Sequence, residues 1–305
     1  MKNWVKLIAP AKVNLVLAVG DVREDGFHRV HTIMHTLALH DTITMRRFEE
    51  EDIGKGLELR FKCETSGDID PLDVPAEKNI AYRAVKELAQ ALDRHVDESI
   101  DITLSKVIPA EAGLGGGSSN AAAALLGAAT LWGIDPQDER LLAVAGQLGA
   151  DVSFFLKGGC AFLSGKGEVF EHTLTPRKGF ALLVRPSAGV STAKAYAEFD
   201  KNPQYPESEF IKQLTEATDA SQVAFWNNLT DAACAVTPEV AEVLAWAQGL
   251  SQDQEVLLCG SGSAVCIPCE SYDDACAYSV EAFKRNWWSR ITTFSPVGAS
   301  VVQVY

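Results

Sequence analysis

Apolar and polar positions change period several times along the chain. Near the N-terminus Val5 and Leu7, then Val13, Leu15, Leu17 and Val19, alternate as a half-buried strand would, with a break expected around Pro10. Asp21 to Gly26 is polar and glycine-ended, the pattern of a turn, and Thr32 to Met45 reads as a second strand region. Ile80, Ala81, Ala84, Val85, Leu88, Ala89 and Leu92 share one helical face behind Asn79, a residue type that suits an N-cap. Ile100, Ile102 and Leu104 return to alternation, so 99–107 is a predicted strand. A glycine-rich segment from Pro109 to Asn120 then leads into AAAALLGAATLW, a strong helix former from Ala121 that stops at Gly133. A further helix is predicted over about 137–148, apolar at Leu141, Leu142, Val144, Ala145 and Leu148. After Gly149-Ala-Asp151 the pattern reads strand-like through Phe162, with a hairpin at Gly165-Lys-Gly167. Phe180 to Val184 is a buried-type strand and a natural opening for a second domain. Residues 208–218 and 238–248 read as helices, the latter with Pro238 in its first turn. Glu255 to Ile267 reads as strand, turn at Gly260-Ser-Gly-Ser263, then strand, and Ser271 caps a helix to about Phe283. Strands and amphipathic helices without a regular β-α-β-α beat point to the α+β class.

Composition narrows the function. The chain has 305 residues, 47% of them hydrophobic and 22% charged, which is globular and long enough for two domains. Twenty-seven basic against 41 acidic side chains leave a net charge of −14. Such a chain repels phosphate backbones at long range, so no nucleic-acid partner is expected, and any phosphorylated ligand must be held by local donors. No run of ~18 apolar residues suits a membrane span, and MKNWVKLIAPAKVN lacks the apolar core of a signal peptide. Seven cysteines, at 63, 160, 234, 259, 266, 269 and 276, are then read as reduced thiols of a cytoplasmic protein. In that compartment the sequon at Asn228 carries no meaning. Cys266 and Cys269 have CxxC spacing but no second ligand pair, and Cys259 and Cys266 alternate with apolar neighbours as strand residues do.

The chemistry concentrates at the glycine segment. Glycine admits close backbone approach, and the free N–H groups of a helix N-terminus suit an anion, most naturally a phosphate. The segment lacks GxxxxGK[ST], so it is no Walker A loop, and Gly113, Gly115, Gly116 and Gly117 are too closely spaced for GxGxxG.

Pro109-x3-Gly-Leu-Gly-Gly-Gly-Ser-Ser-Asn-Ala-Ala122 resembles the phosphate loop of the GHMP kinase superfamily. Three more segments agree in order: Pro10-Ala-Lys-Val-Asn14 with Asp25-Gly-Phe-His28, Leu148-Gly-Ala-Asp-Val152 with Phe155 and Gly158, and Gly260-Ser-Gly-Ser263. The resemblance covers nearly the whole chain. It implies a two-domain α+β fold, with a ribosomal protein S5 domain 2-like N-terminal domain (1–168) and a ferredoxin-like C-terminal domain (169–305). It also implies an ATP- and Mg²⁺-dependent small-molecule kinase of the non-mevalonate isoprenoid pathway. The reaction would place phosphate on the 2-hydroxyl of a cytidine-diphosphate-linked polyol, CDP-methylerythritol. A monomer or weak homodimer is expected.

The implied roles fall on specific residues. Asp151 would be the base for the attacking hydroxyl, with Lys12 beside it holding the carboxylate ionised and offsetting charge on the reacting oxygen. Asn79 and Lys106 match the nucleotide pocket. Pro109, Ala110, Glu111, Ala112, Gly113, Leu114, Gly115, Gly116, Gly117, Ser118 and Ser119 form the ATP phosphate loop, the two serines near phosphate or Mg²⁺. Asn14 would bond the polyol and His28 the cytosine or diphosphate end. Phe27 and Tyr196 would sandwich the base, Thr192 preceding Tyr196 by four residues. Gly260, Ser261 and Gly262 would offer amides to the diphosphate. On the residues alone, Asp151 reads also as a local cap, Lys12 as a snorkelling side chain, Phe27 and Tyr196 as core, and the Gly260 turn as a tight hairpin. His31, His35 and His40 fall at offsets that share no strand face with His28 and are taken as structural.

The chain departs from the family in four places. Phe27 stands where tyrosine is common, Cys259 where serine is usual, and Asn228-Leu-Thr230 replaces a more acidic pattern. The tail after Arg285 is longer and more aromatic than expected, without a functional account. A homoserine- or mevalonate-type kinase, or a diphosphomevalonate-type decarboxylase, shares the fold and remains an alternative.

Overall fold

The computed structural model describes residues 2–49, 56–250 and 255–305. In chain order the first half comprises β1 (Trp4–Val22), β2 (His28–Glu49), β3 (Leu57–Thr65), α1 (Ile80–Ala91), β4 (Glu98–Lys106), α2 (Gly116–Trp132), α3 (Glu139–Leu148), α4 (Ala150–Lys157), β5 (Cys160–Ser164) and β6 (Val169–Thr173). The second half comprises β7 (Phe180–Arg185), α5 (Thr192–Phe199), α6 (Ser208–Glu216), β8 (Trp226–Asn227), α7 (Thr230–Val236), α8 (Pro238–Gln248), β9 (Leu257–Leu258), β10 (Val265–Cys269), α9 (Tyr272–Lys284), β11 (Trp288–Thr293) and β12 (Ser300–Val304). One sheet runs β12-β1-β2-β4-β3, with β5 and β6 branching from β2 and β8 from β1. The other runs β11-β7-β10-β9. The architecture is α+β, as the irregular strand–helix order predicts. The sheets do not divide at residue 168, because β6 and β12 both belong to the first.

The long hairpin of β1 and β2 decides where side chains point. β1 runs on through Pro10, which still pairs with His40, rather than breaking there. Its register slips between Pro10 and Lys12 and again between Asn14 and Val16. The first slip sets two residues of β1 against four of β2 and the second sets two against one, and the side-chain alternation is broken at both. Val5, Leu7 and Ala9 therefore enter the core under α2, whereas Ala11, Val13, Leu15, Val16 and Ala18 enter a second core on the reverse face. Leu17 and Val19, expected in line with Val13, fall in a separate cluster with Val30 and Phe199. A simple period of two misses both breaks.

α2 is apolar all round and lies inside the molecule, its alanines 121–124, 128 and 129 buried. It begins at Gly116, not Ala121, behind Gly115 in the left-handed region (φ 70°). The segment 150–157, read as strand-like, is the helix α4. Its apolar run is too short for periodicity to separate a buried helix from a strand. Leu142 on α3 is 40% exposed, so its neighbours Leu141, Val144 and Ala145 bury the helix without it. The Asn79 cap on α1, Pro238 at the start of α8 and the Ser271 cap on α9 stand where the sequence places them. The aromatic tail is structural. β11 borders β7, β12 borders β1, and Ala299 N–H donates to the Phe155 carbonyl at 2.8 Å. Gly298 lies so close to Gly158 that a Cβ on either would meet the other's backbone, which ties the tail to the end of α4. Among the described residues no helix is long and apolar enough to cross a membrane.

Candidate active site

A cleft of about 840 Å³ opens where β1, β2, the N-termini of α2, α4 and α5, and the turn between β9 and β10 meet. The irregular pairing on either side of them aims Lys12 and Asn14 of β1 into it, on the face opposite Ala11 and Val13. Asp151 arrives from the first turn of α4. Its Oδ2 lies 3.7 Å from Lys12 Nζ, with the lysine side chain 7% exposed and the aspartate 29%. A relay fixes the lysine: Nζ donates to Asn14 Oδ1 (2.7 Å), Asn14 Nδ2 donates to Thr32 Oγ1 (2.8 Å), and Thr32 donates to the Val16 carbonyl (2.6 Å). Asn14 thus orients Lys12 as well as lining the cleft. The carboxylate is held by charge at longer than hydrogen-bond range, so its oxygens stay open to a substrate proton. Gly115 is needed here, since a Cβ would come within 2.9 Å of Lys12 Cγ and of the Phe155 ring.

The phosphate loop and the Gly260 turn form one body. Ser263 N–H donates to the Glu111 carbonyl at 3.0 Å and Ala264 N–H to that of Ala112 at 3.1 Å. A Cβ on Gly113 would lie 1.7 Å from the Cys259 carbonyl oxygen. A Cβ on Gly260 would lie 3.4 Å from Lys12 Nζ, so this turn sits beside the lysine–aspartate pair. Asn227 Nδ2 supports it, donating to the Gly260 carbonyl at 2.7 Å. Thr192 Oγ1 and Ser261 Oγ are 2.8 Å apart, which joins the turn to α5. Burial holds the Cys259 thiol up at about 12, so it is inert beside the site.

Most expected residues line the cleft: Lys12, Asn14, Asn79, Lys106, Pro109 through Ser118, Asp151, Thr192, Tyr196, Gly260, Ser261 and Gly262. The geometry changes several roles. Asn79 caps α1 by accepting from Ala81 N–H at 2.9 Å. Ser119 is buried within α2, its hydroxyl without a partner. Lys106 is pinned by the Asp41 carboxylate (2.6 Å) and Asn120 Oδ1 (3.1 Å). His28 is not among the lining residues but lies just behind one of them, Tyr196, with Nδ1 at the Gly20 carbonyl (2.9 Å) and Nε2 at Asp200 Oδ1 (3.1 Å). The ring against Tyr196 is His28, centroids 5.1 Å apart, not Phe27. Phe27 is 55% exposed, under the ammonium of Lys166 at 4.5 Å. Of the two rings expected to hold the base, Tyr196 lines the cleft and Phe27 does not. Burial pushes the Tyr196 hydroxyl up to about 12, with the Asp151 charge adding to it, so it stays a donor.

Sequence reasoning missed Asp41. Its buried carboxylate accepts from Lys106, from Asn120 Nδ2 (2.9 Å) and from the backbone of Val107 (2.7 Å) and Ile108 (2.9 Å). It clamps the end of β4 to the start of α2. An acid between the apolar strand residues Leu39 and Ile43 was the available signal.

Residues 79–159 match the family model for the GHMP kinases N terminal domain. A curated relative from Bacillus thuringiensis (strain Al Hakam), named 4-diphosphocytidyl-2-C-methyl-D-erythritol kinase, is 36% identical over 86% of this chain and 87% of its own length. The chain belongs to that kinase family. A crystal structure of 4-(cytidine 5'-diphospho)-2C-methyl-D-erythritol kinase is 32% identical and superposes with TM-score 0.73, covering 95% of this chain and 99% of that one. The crystal structure of homoserine kinase from Cytophaga hutchinsonii reaches TM-score 0.71 over 99% and 98% of the two chains at 20% identity, a likeness of fold alone. This GHMP kinase is thus a small-molecule kinase of α+β architecture, with ATP as its phosphate donor.

Proposed function

We propose that the protein transfers the γ-phosphate of ATP to the 2-hydroxyl of 4-diphosphocytidyl-2-C-methyl-D-erythritol, giving the 2-phosphate and ADP. The observation that carries this reading is the Lys12–Asp151 pair, set at 3.7 Å between the glycine-rich start of α2 and the Gly260 turn. The triphosphate rests on the amides of Gly115 to Ser118, whose helix end bears partial positive charge. The nucleoside lies toward Leu72, Val74, Asn79 and Ile80, which line that end. Asp151 takes the hydroxyl proton as the oxygen attacks, and Lys12 offsets charge on the reacting oxygens. Positioning and charge are most of what phosphoryl transfer needs.

Mg²⁺ suits hard oxygen donors, and the unpartnered hydroxyl of Ser119 in the first turn of α2 fits one. Ser118 and Ser119 would hold the ion beside ATP's own oxygens, where it would neutralise charge on the phosphates. The protein acts as a cytoplasmic monomer or weak homodimer, in the reading its thiols and charge support.

Purified protein with ATP and Mg²⁺ should phosphorylate CDP-methylerythritol in preference to homoserine or mevalonate. Equal turnover of homoserine, or carbon dioxide release from diphosphomevalonate, would overturn the reading.

A further inference from the structure

The tail after Arg285 lies against the outer side of the phosphate loop. Trp288 and Arg290 sit on β11, which pairs with β7 so that Trp288 stands opposite Arg185 and Arg290 opposite Leu183. With Asp68, Ile69 and Pro109 they line a second cavity, of about 740 Å³, and Pro109 is common to this cavity and the cleft. From these two adjacent strands Arg185 and Arg290 reach the two walls of the nucleotide end, one each.

Arg185 holds the first wall. It is buried, and its Nε donates to the Pro186 carbonyl (3.0 Å), Nη1 to the Ala110 carbonyl of the phosphate loop (3.1 Å) and Nη2 to the Ser187 carbonyl (2.9 Å). This rivets β7, and β11 beside it, to the loop. Arg290 holds the second wall. Its guanidinium lies 5.5 Å from the Trp288 ring centroid, donates from Nη1 to the Ser289 carbonyl at 3.0 Å, and from Nη2 to the Asp68 carboxylate. Asp68 also accepts from the Ser66 hydroxyl, and Ser66 N–H donates to the Lys106 carbonyl at 2.9 Å. Beyond Asp68 the chain runs to Pro75 without helix or strand, and it carries Leu72 and Val74, which line the nucleotide end of the cleft. Among the described residues the Arg290–Asp68 contact is the one ion pair that residues 66–75 make. It joins positions 222 apart in the chain.

We infer that Arg290 and Asp68 are positioning residues for the nucleotide, a latch that fixes the 66–75 wall relative to the phosphate loop and so sets the width of the cleft where the nucleoside enters. A wall ordered in advance spares ATP the cost of ordering it on binding. Neither side chain touches the reacting atoms, and both act through Leu72 and Val74. The inference rests on the placement of the nucleoside in the proposed function, and it gives the aromatic tail a task beyond closing the sheets.

Steady-state kinetics and calorimetric titration with ADP test it. The two side chains are 35% and 42% exposed, so Arg290→Met and Asp68→Asn should fold with melting temperatures within ~2 °C of wild type. Each should raise the ATP KM and the ADP Kd about three- to fivefold, the scale of one exposed ion pair, while kcat and the acceptor KM change less than about 1.5-fold. Exchanging the charges, Asp68→Arg with Arg290→Asp, should return the ATP KM to within about twofold of wild type, which the loss of packing alone would not allow. Val74→Glu locates the nucleoside separately: a carboxylate in the wall itself should raise the ATP KM at least about tenfold. An unchanged ATP KM in Arg290→Met and Asp68→Asn beside an impaired Val74→Glu would overturn the latch and leave the proposed function standing. Equal rises in the ATP and acceptor KM, or a charge exchange that restores nothing, would also overturn it. An unchanged ATP KM in Val74→Glu would overturn the placement of the nucleoside and the latch with it. ADP binding needs no acceptor, so a wild-type enzyme that never phosphorylates CDP-methylerythritol would overturn the proposed function while the latch is still decided by the ADP Kd.

Discussion

The cleft contains two lysine–aspartate pairs that look interchangeable in sequence and are opposite in build. Lys106 and Asp41 meet at 2.6 Å, both buried, with four donors on the carboxylate. Lys12 and Asp151 stand 3.7 Å apart, and the carboxylate keeps contact with the cleft. A buried charge is tolerable only when every lone pair is met, so the first pair is a clamp with no capacity left for a substrate. The second is under-satisfied on the side where a hydroxyl would arrive, and that leaves room for proton transfer.

Breaking each pair should therefore give opposite signatures. Asp41→Ala strands the Lys106 ammonium and two backbone amides, and should cost about 3–5 kcal/mol of folding stability, read by denaturant unfolding. Asp151→Asn should lower kcat about a thousandfold while the melting temperature moves by less than ~2 °C. Large instability in Asp151→Asn, or a stable and slow Asp41→Ala, would reverse the comparison.

A third buried group sharpens it. His35 lies on the reverse face of β2, against the Phe294 ring, with its Nδ1 at the Thr36 carbonyl and Nε2 without a partner. Burial lowers it from 6.5 to about 4. The unfolded chain binds a proton below pH 6.5 that the folded chain refuses until about pH 4. Stability should therefore fall as pH drops through that window, by about 3 kcal/mol at most, then level off. His35→Gln should flatten that part of the curve; an unchanged slope would assign it to other groups. The smallest effect belongs to Phe27→Leu. It removes the ring beneath Lys166 and should raise the acceptor KM about two- to fivefold, as an exposed cation–π contact is worth.

The glycine loop, the Asn79 cap and the Gly260 turn were legible because their chemistry is local: a helix start, a cap and a turn each follow from a few adjacent residues. Asp151 was found through its motif, yet its helix was read as a strand, since Phe154, Phe155 and Leu156 fit either. The family resemblance puts His28 at the cytosine or diphosphate end and Phe27, as an aromatic stacking face, at the base. On either side of a strand start, however, adjacent residues face different ways, and only His28 turns inward to Asp200 and Tyr196.

By itself the sequence determined the α+β class, the glycine-rich helix start and the identity of the lysine and aspartate that meet beside it. These depend on composition, spacing and short-range backbone geometry. Only the tertiary structure decided which lysine is free and which is clamped, because that turns on Asp41, 65 residues away from Lys106 along the chain. It also decided which face of β1 meets the cleft, because a bulge is set by pairing with another strand and leaves no mark in the alternation of one strand alone.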